Sequence, residues 1–243
     1  MSPRALGLSA ALGALLTGGV WAARDIAIPP VIAAEKAVLA PAPQLDAPSG
    51  GKQETAIFAG GCFWGVEGVF SHVKGVTSAV SGYSGGKGRT TSYDAVSTGR
   101  TGFAEAVRLT YDPKAVSYGD LMRIFFSVVA DPTTLNYQGP DHGTQYRSAL
   151  FPLNAGQAKA ARAYLAQLEK SGLWNGRIVT AIEHYRGFVP AEAYHQDFMR
   201  TNPRHPYILR WDRPKVAALK QLFPDHYREK TRDEVSVHRL FAP

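Results

Sequence analysis

The chain contains a single cysteine, Cys62, among its 243 residues. A lone thiol excludes an internal disulfide framework, a Cys₄ zinc site and a CxxC redox pair within the chain. The fold must therefore be stabilised by an apolar core, and a hydrophobic fraction of 45% with a charged fraction of 19% is ordinary for a globular protein. The composition predicts a core-forming soluble protein with one thiol whose role needs an explanation.

The formal net charge of +7 lies mainly at the C-terminal end. Residues 199–243 hold 10 basic and 5 acidic side chains, a balance of +5. No RNP-like motif, zinc finger or basic heptad pattern accompanies this charge. We interpret it as a solvated basic face and expect no nucleic-acid partner.

The N-terminal residues do not resemble part of a folded domain. Arg4 is followed by 19 uncharged residues, of which residues 10–16 form an apolar stretch. This pattern is typical of a secretory signal peptide, with an uncleaved membrane anchor as the alternative. We therefore expect an exported, periplasmic protein that is membrane-anchored only if the segment stays uncleaved, or a cytoplasmic protein if the segment is not a signal. The expected organisation is a signal peptide or anchor (1–23), an Ala/Pro-rich linker (24–51), one globular domain (52–227) and a polar tail (228–243).

Apolar periodicity within the domain predicts a mixture of strands and helices. Strands are expected at residues 55–59, 76–83, 105–111, 146–151 and 177–184, and helices from Cys62 and at 118–129, 155–170 and 190–200. The two kinds of element do not alternate as regular βαβ units. The pattern favours an α+β single domain.

Cys62 lies at a predicted strand-to-helix junction, after two glycines and before Phe63 and Trp64. A thiol at a helix N-terminus is expected to have a lowered pKa, whereas the alternative interpretation is a buried, inert cysteine. Adjacent helical residues point about 100° apart, so one of the two aromatic rings must face away from the core. Both could line a pocket for a methyl or thioether group, or both could belong to the core.

Glu105 shares strand parity with Val107, Leu109 and Tyr111, so its carboxyl is expected on the apolar side of the strand. Loss of hydration there raises a carboxyl pKa and leaves a protonated group that can act as a general acid. The alternative is a carboxylate at the strand edge that is bonded to a lysine or arginine.

Several segments of the sequence form a set of ordered motifs. They are Gly61-Cys62-Phe63-Trp64-Gly65 with Glu67, residues 82–86, Tyr93, residues 101–107, residues 111–113, residues 141–148, and His195-Gln196. Together, over roughly residues 55–211, they resemble the A-type peptide-methionine sulfoxide reductases, which act on the S epimer of methionine sulfoxide. The resemblance implies a mixed central sheet packed with helices in a ferredoxin-like two-layer core with long loops.

The resemblance also implies a role for each matching side chain. Cys62 would be the nucleophile that is left as a sulfenic acid, and Glu105 the proton donor. The remaining residues would bind substrate: Phe63 and Trp64 at the S-methyl group, Tyr93 and Tyr146 at the sulfoxide oxygen, Asp141 near the substrate backbone, and Tyr207 as a further pocket tyrosine. The implied substrates are oxidised methionine residues in peptides and proteins, or the free amino acid.

One departure concerns how the sulfenic acid is reduced. Many members of the family carry C-terminal resolving cysteines, and this sequence has none. The resemblance therefore implies an external reductant, a thioredoxin-type protein or a small thiol, with no cofactor or metal. We expect a monomer. The alternatives are acyl transfer with Cys62 paired to His142, His184 or His195, a peroxide-reducing thiol enzyme, and a basic interaction protein.

Overall fold

The strands of the computed structural model, which describes residues 37–231, form one large sheet and one small hairpin. In chain order they are β1 (Glu54–Gly60), β2 (Val76–Ser84), β3 (Ala104–Tyr111), β4 (Tyr137–Gln138), β5 (Asp141–His142), β6 (Ser148–Leu150), β7 (Ala181–Ile182) and β8 (Phe188–Pro190). Within the described residues, β4 and β5 pair with each other and the other six strands form the central sheet.

The helices differ widely in length. They are α1 (Phe63–Ser71), α2 (Tyr93–Ser97), α3 (Tyr118–Ile124), α4 (Ala155–Ser171), α5 (Phe198–Thr201) and α6 (Arg213–Leu222). A π-helical turn, Phe125–Val129, continues α3, and a second one, Ile208–Asp212, leads into α6. Short 3₁₀ turns lie at Thr144–Tyr146 and Ala193–His195.

The sheet has the strand order β7-β6-β1-β3-β2-β8. The chain path β1-α1-β2-β3-α3-β6 places its four strands in the order β6-β1-β3-β2, with antiparallel neighbours, which is the ferredoxin-like arrangement. Parallel pairing of β7 with β6 makes the sheet mixed. The α+β fold class predicted from the sequence is confirmed.

Both faces of the central strands are buried. The main core lies between the sheet and the helices, where the ring of Phe58 has its centroid 5.9 Å from that of Phe70 and 5.3 Å from that of Phe125. Val107 and Leu109 face this core, whereas Ala104 and Ala106 face a smaller cluster on the opposite side. Since Glu105 has the parity of Val107, its carboxyl is directed into the helical layer.

The capping interactions at the ends of helices α3 and α4 agree with the boundaries that the sequence predicts. Ser117 and Asp120 form a reciprocal capping box before α3. Asn154 accepts a hydrogen bond from the backbone N–H of Gln157 at the start of α4. Gly172 ends the same helix with a φ of 65°, a left-handed conformation that favours glycine.

The predicted helix at residues 190–200 is wrong. Pro190 ends strand β8, where it pairs with Gly82 of β2 at the edge of the sheet, and an edge position tolerates the missing N–H. The backbone then turns at Asp197, with a φ of 52°, so α5 begins only at Phe198. The predicted strand at 177–184 is likewise reduced to Ala181–Ile182.

Part of the predicted linker is packed against the domain. Ala40 is fully buried, and its N–H donates to Ser127 Oγ at 3.0 Å. Arg123 Nε donates to the Ala40 carbonyl at 2.9 Å, and Val38 N–H donates to the Ser127 carbonyl. Packed structure therefore begins before residue 52, inside the range that the sequence predicts as a linker. Residues 1–36, with the predicted signal or anchor, lie outside the described residues.

The chain also remains packed beyond the predicted boundary at residue 227. The Arg228 guanidinium donates to the carbonyls of Ser71 and Val76, each at 3.0 Å. Residues 232–243, which include most of the predicted polar tail, lie outside the described part of the chain. Within residues 37–231, no helix is both long enough and apolar enough to span a membrane.

Replacement of Ser127 by alanine tests the packing of the N-terminal segment. The buried hydroxyl accepts from Ala40 N–H and donates to the Arg123 carbonyl at 2.7 Å, so its loss leaves a buried donor unsatisfied. We expect Ser127→Ala to lower the free energy of unfolding by about 1–3 kcal/mol in urea denaturation. Ser49→Ala, at an exposed serine, should change it by less than about 0.5 kcal/mol. Equal effects would contradict this packing.

Candidate active site

The junction between β1 and α1 requires two glycines for different reasons. Gly61 has a φ of 85°, and a Cβ there would lie 2.6 Å from the Cβ of Gln138. A Cβ on Gly60 would lie 2.6 Å from the ring of Phe125, so Gly60 permits close packing against the core. The two glycines place Cys62 at the N-cap of α1, as the sequence predicts.

The Cys62 thiol is partly buried, and its pKa is raised well above the ordinary value. Burial is the largest cause, followed by Glu105, which is ionised at the high pH where the thiol loses its proton, and then by the negative charges of Asp212 and Asp141. The N–H of Trp64, in the first turn of the helix, acts in the opposite direction but does not compensate. The prediction of a lowered pKa is therefore wrong, and the resting group is a neutral thiol.

Glu105 is 2% exposed, and its Oε2 accepts a hydrogen bond from the N–H of Phe63 at 3.0 Å. Burial raises the pKa of this carboxyl to about 8, against the lowering effect of the Phe63 N–H; the charge of Asp141 raises it further. Between residues 37 and 231, no lysine or arginine forms an ion pair with Glu105. The Glu105 carboxyl is thus a protonated acid near neutral pH. The alternative prediction, a carboxylate at the strand edge that is bonded to a lysine or arginine, is wrong.

The two aromatic residues after the thiol point in different directions. Phe63 is buried, with its ring centroid 5.0 Å from that of His195. Trp64 is partly exposed and stacks on Phe198, with centroids 3.7 Å apart and planes 7° apart. The ring of Tyr207 meets the indole edge-on at 5.8 Å. Together these rings form an apolar surface beside the thiol.

His195 contributes to this surface, although the sequence indicated it only as part of a motif and as an alternative base. Its Nδ1 accepts a hydrogen bond from the indole N–H of Trp64 at 3.1 Å. Burial lowers the pKa of the imidazole, which keeps it neutral. The Nδ1 atom of His195 is therefore hydrogen-bonded to Trp64 rather than to Cys62. His142 and His184 are both exposed, and no geometry supports an acyl-transfer pair.

The polar side of the site carries the three predicted tyrosines and Asp141. The hydroxyl of Tyr207 donates to Asp141 Oδ2. Burial, and then the charge of Glu105, raise the pKa of Tyr93 and that of Tyr146. Their hydroxyls consequently remain protonated and can donate hydrogen bonds. The structure brings Tyr207 into the same site as the other predicted residues.

Two acidic residues that the sequence did not single out support this arrangement. Glu192 Oε1 accepts from the N–H of Tyr93 at 2.8 Å, and its Oε2 accepts from the hydroxyl of Tyr83 at 2.9 Å. Asp212 is 1% exposed and occupies the space that a Cβ on Gly65 would need. The glycine after Trp64 was the available signal that another group approaches the helix closely.

Comparisons with known proteins identify the family of this chain. The family model described as peptide methionine sulfoxide reductase matches residues 54–227. The chain belongs to this family. It is 59% identical over 177 residues to peptide methionine sulfoxide reductase MsrA 2 of Mesorhizobium japonicum, covering 73% of this chain and 91% of that protein. A Synechocystis protein of the same name is 48% identical over 178 residues, covering 73% of this chain and 83% of that protein.

A solved structure shows the same fold. The reduced form of Mxr1 from Saccharomyces cerevisiae superposes with a TM-score of 0.54 at 32% identity, covering 67% of this chain and 92% of that one. These similarities confirm the family and the enzyme class that the sequence predicted. In the part of the chain that the structure describes, no group of three or more His, Cys, Asp or Glu side chains is arranged to hold a metal ion.

The pH dependence of stability tests the burial of Glu105. Its ordinary pKa is 4.5 and its folded pKa is about 8, so between these values only the folded state retains the proton. The stability contribution of this carboxyl therefore falls as the pH rises through this range. We expect the free energy of unfolding of Glu105→Gln to rise by up to about 5 kcal/mol relative to that of the wild type as the pH increases from about 5 to about 9.

Urea denaturation at several pH values would measure this difference. Asp94→Asn, at an exposed carboxyl of α2, serves as the control and should change the free energy of unfolding far less than Glu105→Gln does. A pH-independent difference for Glu105→Gln would mean that the carboxyl ionises normally in the folded protein.

Proposed function

We propose that this protein reduces the S epimer of methionine sulfoxide, free or in proteins, to methionine. The observation that carries the proposal is a carboxyl with a pKa of about 8, bonded to the backbone N–H next to the thiol. A nucleophile and a protonated acid that share one site are the two groups that removal of a sulfoxide oxygen requires. The names of the similar proteins, peptide methionine sulfoxide reductases, support the same reaction.

The apolar and polar sides of the site would orient the two substituents of the sulfoxide. The S-methyl group would lie against Phe63 and Trp64, which offer no partner to an oxygen. The oxygen would accept hydrogen bonds from Tyr93 and Tyr146, whose hydroxyls remain protonated. Exchange of these substituents in the R epimer would place the oxygen on the aromatic rings, which gives a physical reason for stereospecificity.

In the chemical step, the sulfur of Cys62 would attack the sulfoxide sulfur while Glu105 donates its proton to the oxygen. The thiol proton of Cys62 would replace the proton that Glu105 has lost. The oxygen is then transferred to the Cys62 sulfur: a bond from this sulfur to the oxygen forms, and both the S–O bond of the sulfoxide and the transient bond between the two sulfurs break. Methionine leaves, and Cys62 remains as a sulfenic acid. The sum is a thiol and a sulfoxide converted to a sulfenic acid and a thioether, without net uptake of protons.

Recycling would need two equivalents of an external thiol, because the chain has only one cysteine. The first thiol would attack the sulfenic acid, forming a mixed disulfide with Cys62 and releasing water. The second would release Cys62 and leave as the oxidised disulfide. A thioredoxin-type protein or a small thiol can supply both equivalents, and for an exported protein the donor would have to act outside the cytoplasm.

Stereospecific turnover of N-acetylmethionine sulfoxide with dithiothreitol tests the reaction. We expect reduction of the S epimer only, and a fall of at least about 100-fold in kcat for Glu105→Gln, since the amide preserves a hydrogen bond but delivers no proton. Asp94→Asn should retain wild-type activity, because that carboxyl is exposed on α2. Turnover of the R epimer alone, or an unchanged rate in Glu105→Gln, would refute the proposal.

The lone cysteine makes a separate prediction for single-turnover conditions. In the absence of added thiol, the reduced protein should form one methionine per chain and then stop. Mass spectrometry should detect a dimedone adduct on Cys62, and Cys62→Ser should form neither product. Two methionines per chain would require a second reducing group and would contradict this scheme.

A further inference from the structure

A basic cleft lies at the end of the β2–β3 pair, outside the thiol site. It is formed by residues 85–87, 100–102, 183–184 and 186 and has a volume of about 500 Å³. Its floor is a close contact between two loops, because Gly86 packs directly on the ring of Phe103 where a Cβ would not fit. Residues 85–87, which follow strand β2, therefore form one wall of this cleft.

The charge of the basic cleft is predominantly positive. Lys87, Arg100 and Arg186 are exposed, and among residues 37–231 none of the three forms an ion pair. The carboxylate in the cleft, Glu183, is neutralised by Arg147, which bonds it through two nitrogens at 2.6 and 3.0 Å. Three cations thus surround a concave surface without a counter-charge from the described protein.

Residues of the cleft lie only a few positions along the chain from Tyr83 and Glu105. Tyr83 pairs with Glu105 across the sheet, and Gly85 follows two residues later. Gly102 precedes Glu105 by three residues, in the segment that leads into β3. Two or three extended residues span about 7–10 Å. A substrate chain extending in this direction would place its second to fourth residue from the oxidised methionine in the cleft.

We propose that the basic cleft binds an acidic side chain of the substrate, two to four residues from the oxidised methionine. The inference rests on the proposed function and specifies which peptides are preferred. The charges around the thiol disfavour an acidic residue directly beside the oxidised methionine. Asp141 and Asp212 lie close enough to Cys62 to affect its pKa, so a carboxylate directly beside the oxidised methionine would meet like charge.

The experiment compares peptides that differ only in one side chain. Each is capped, carries one (S)-methionine sulfoxide and has Glu, Gln or Lys at a position two, three or four residues away, on either side. Rates are measured with dithiothreitol at low and high NaCl. We expect the best Glu peptide to exceed its Gln counterpart about 3- to 10-fold in kcat/KM, mainly through KM, and this advantage to disappear in about 1 M salt.

Charge reversal in the cleft provides the matched test. The double variant Arg100→Glu with Arg186→Glu should remove the preference for Glu peptides and favour Lys peptides. Arg162→Glu, at an exposed position on α4, should leave the preference unchanged. Activity on N-acetylmethionine sulfoxide, which is too short to reach the cleft, should be the same in all three proteins.

The outcomes separate this inference from the function on which it rests. Equal kcat/KM for Glu and Gln peptides at every position would overturn it, as would a Glu preference that survives charge reversal in the cleft. Failure of the wild type to reduce N-acetylmethionine sulfoxide would instead refute the proposed reaction. Loss of activity on this small substrate in the double variant would show that the cleft residues act on the thiol site and would likewise overturn the inference.

Discussion

The hydrogen bond from the Phe63 N–H to Glu105 joins the first turn of α1 to strand β3 at 3.0 Å. It fixes the carboxyl beside the residue that follows Cys62 while the core removes water from it. Burial outweighs this bond and keeps the pKa near 8. A permanently ionised group here would add a full negative charge beside a thiol that already faces Asp141 and Asp212. Because Glu105 is neutral, it adds no further repulsion to the negative charges of Asp141 and Asp212 near the thiol.

The other elements reach this centre because two positions lack side chains. Gly61 admits Gln138, so the β4–β5 hairpin that carries Asp141 can approach the thiol. Gly65 admits Asp212, at the end of the π-helical turn that follows Tyr207. The bond between the Tyr207 hydroxyl and Asp141 then connects these two elements across the site. Close backbone approach thus assembles residues that lie far apart in the sequence.

Local sequence patterns correctly predicted those elements that depend mainly on residues close to them in the sequence. Alternation in β3 placed Glu105 on the buried face, and the capping residues defined α3 and α4. The same reasoning failed at Pro190, because a proline suits both a helix start and an edge strand, and only pairing with β2 decides between them. The predicted lowering of the Cys62 pKa was wrong for a similar reason. Asp212 lies 150 residues away in the sequence, so neither its charge nor the burial of the thiol is visible in the local pattern.

A neutral resting thiol suits a protein with one cysteine. Peroxides and disulfides react with the thiolate, so the raised pKa of Cys62 slows adventitious oxidation. Further oxidation of a sulfenic acid to sulfinic acid is in general irreversible, and without a second cysteine no internal disulfide can intercept it. If the thiol proton is released only when a bound sulfoxide has taken the proton of Glu105, the nucleophile forms where its substrate is present. The same carboxyl would then both drive the reaction and protect the group that performs it.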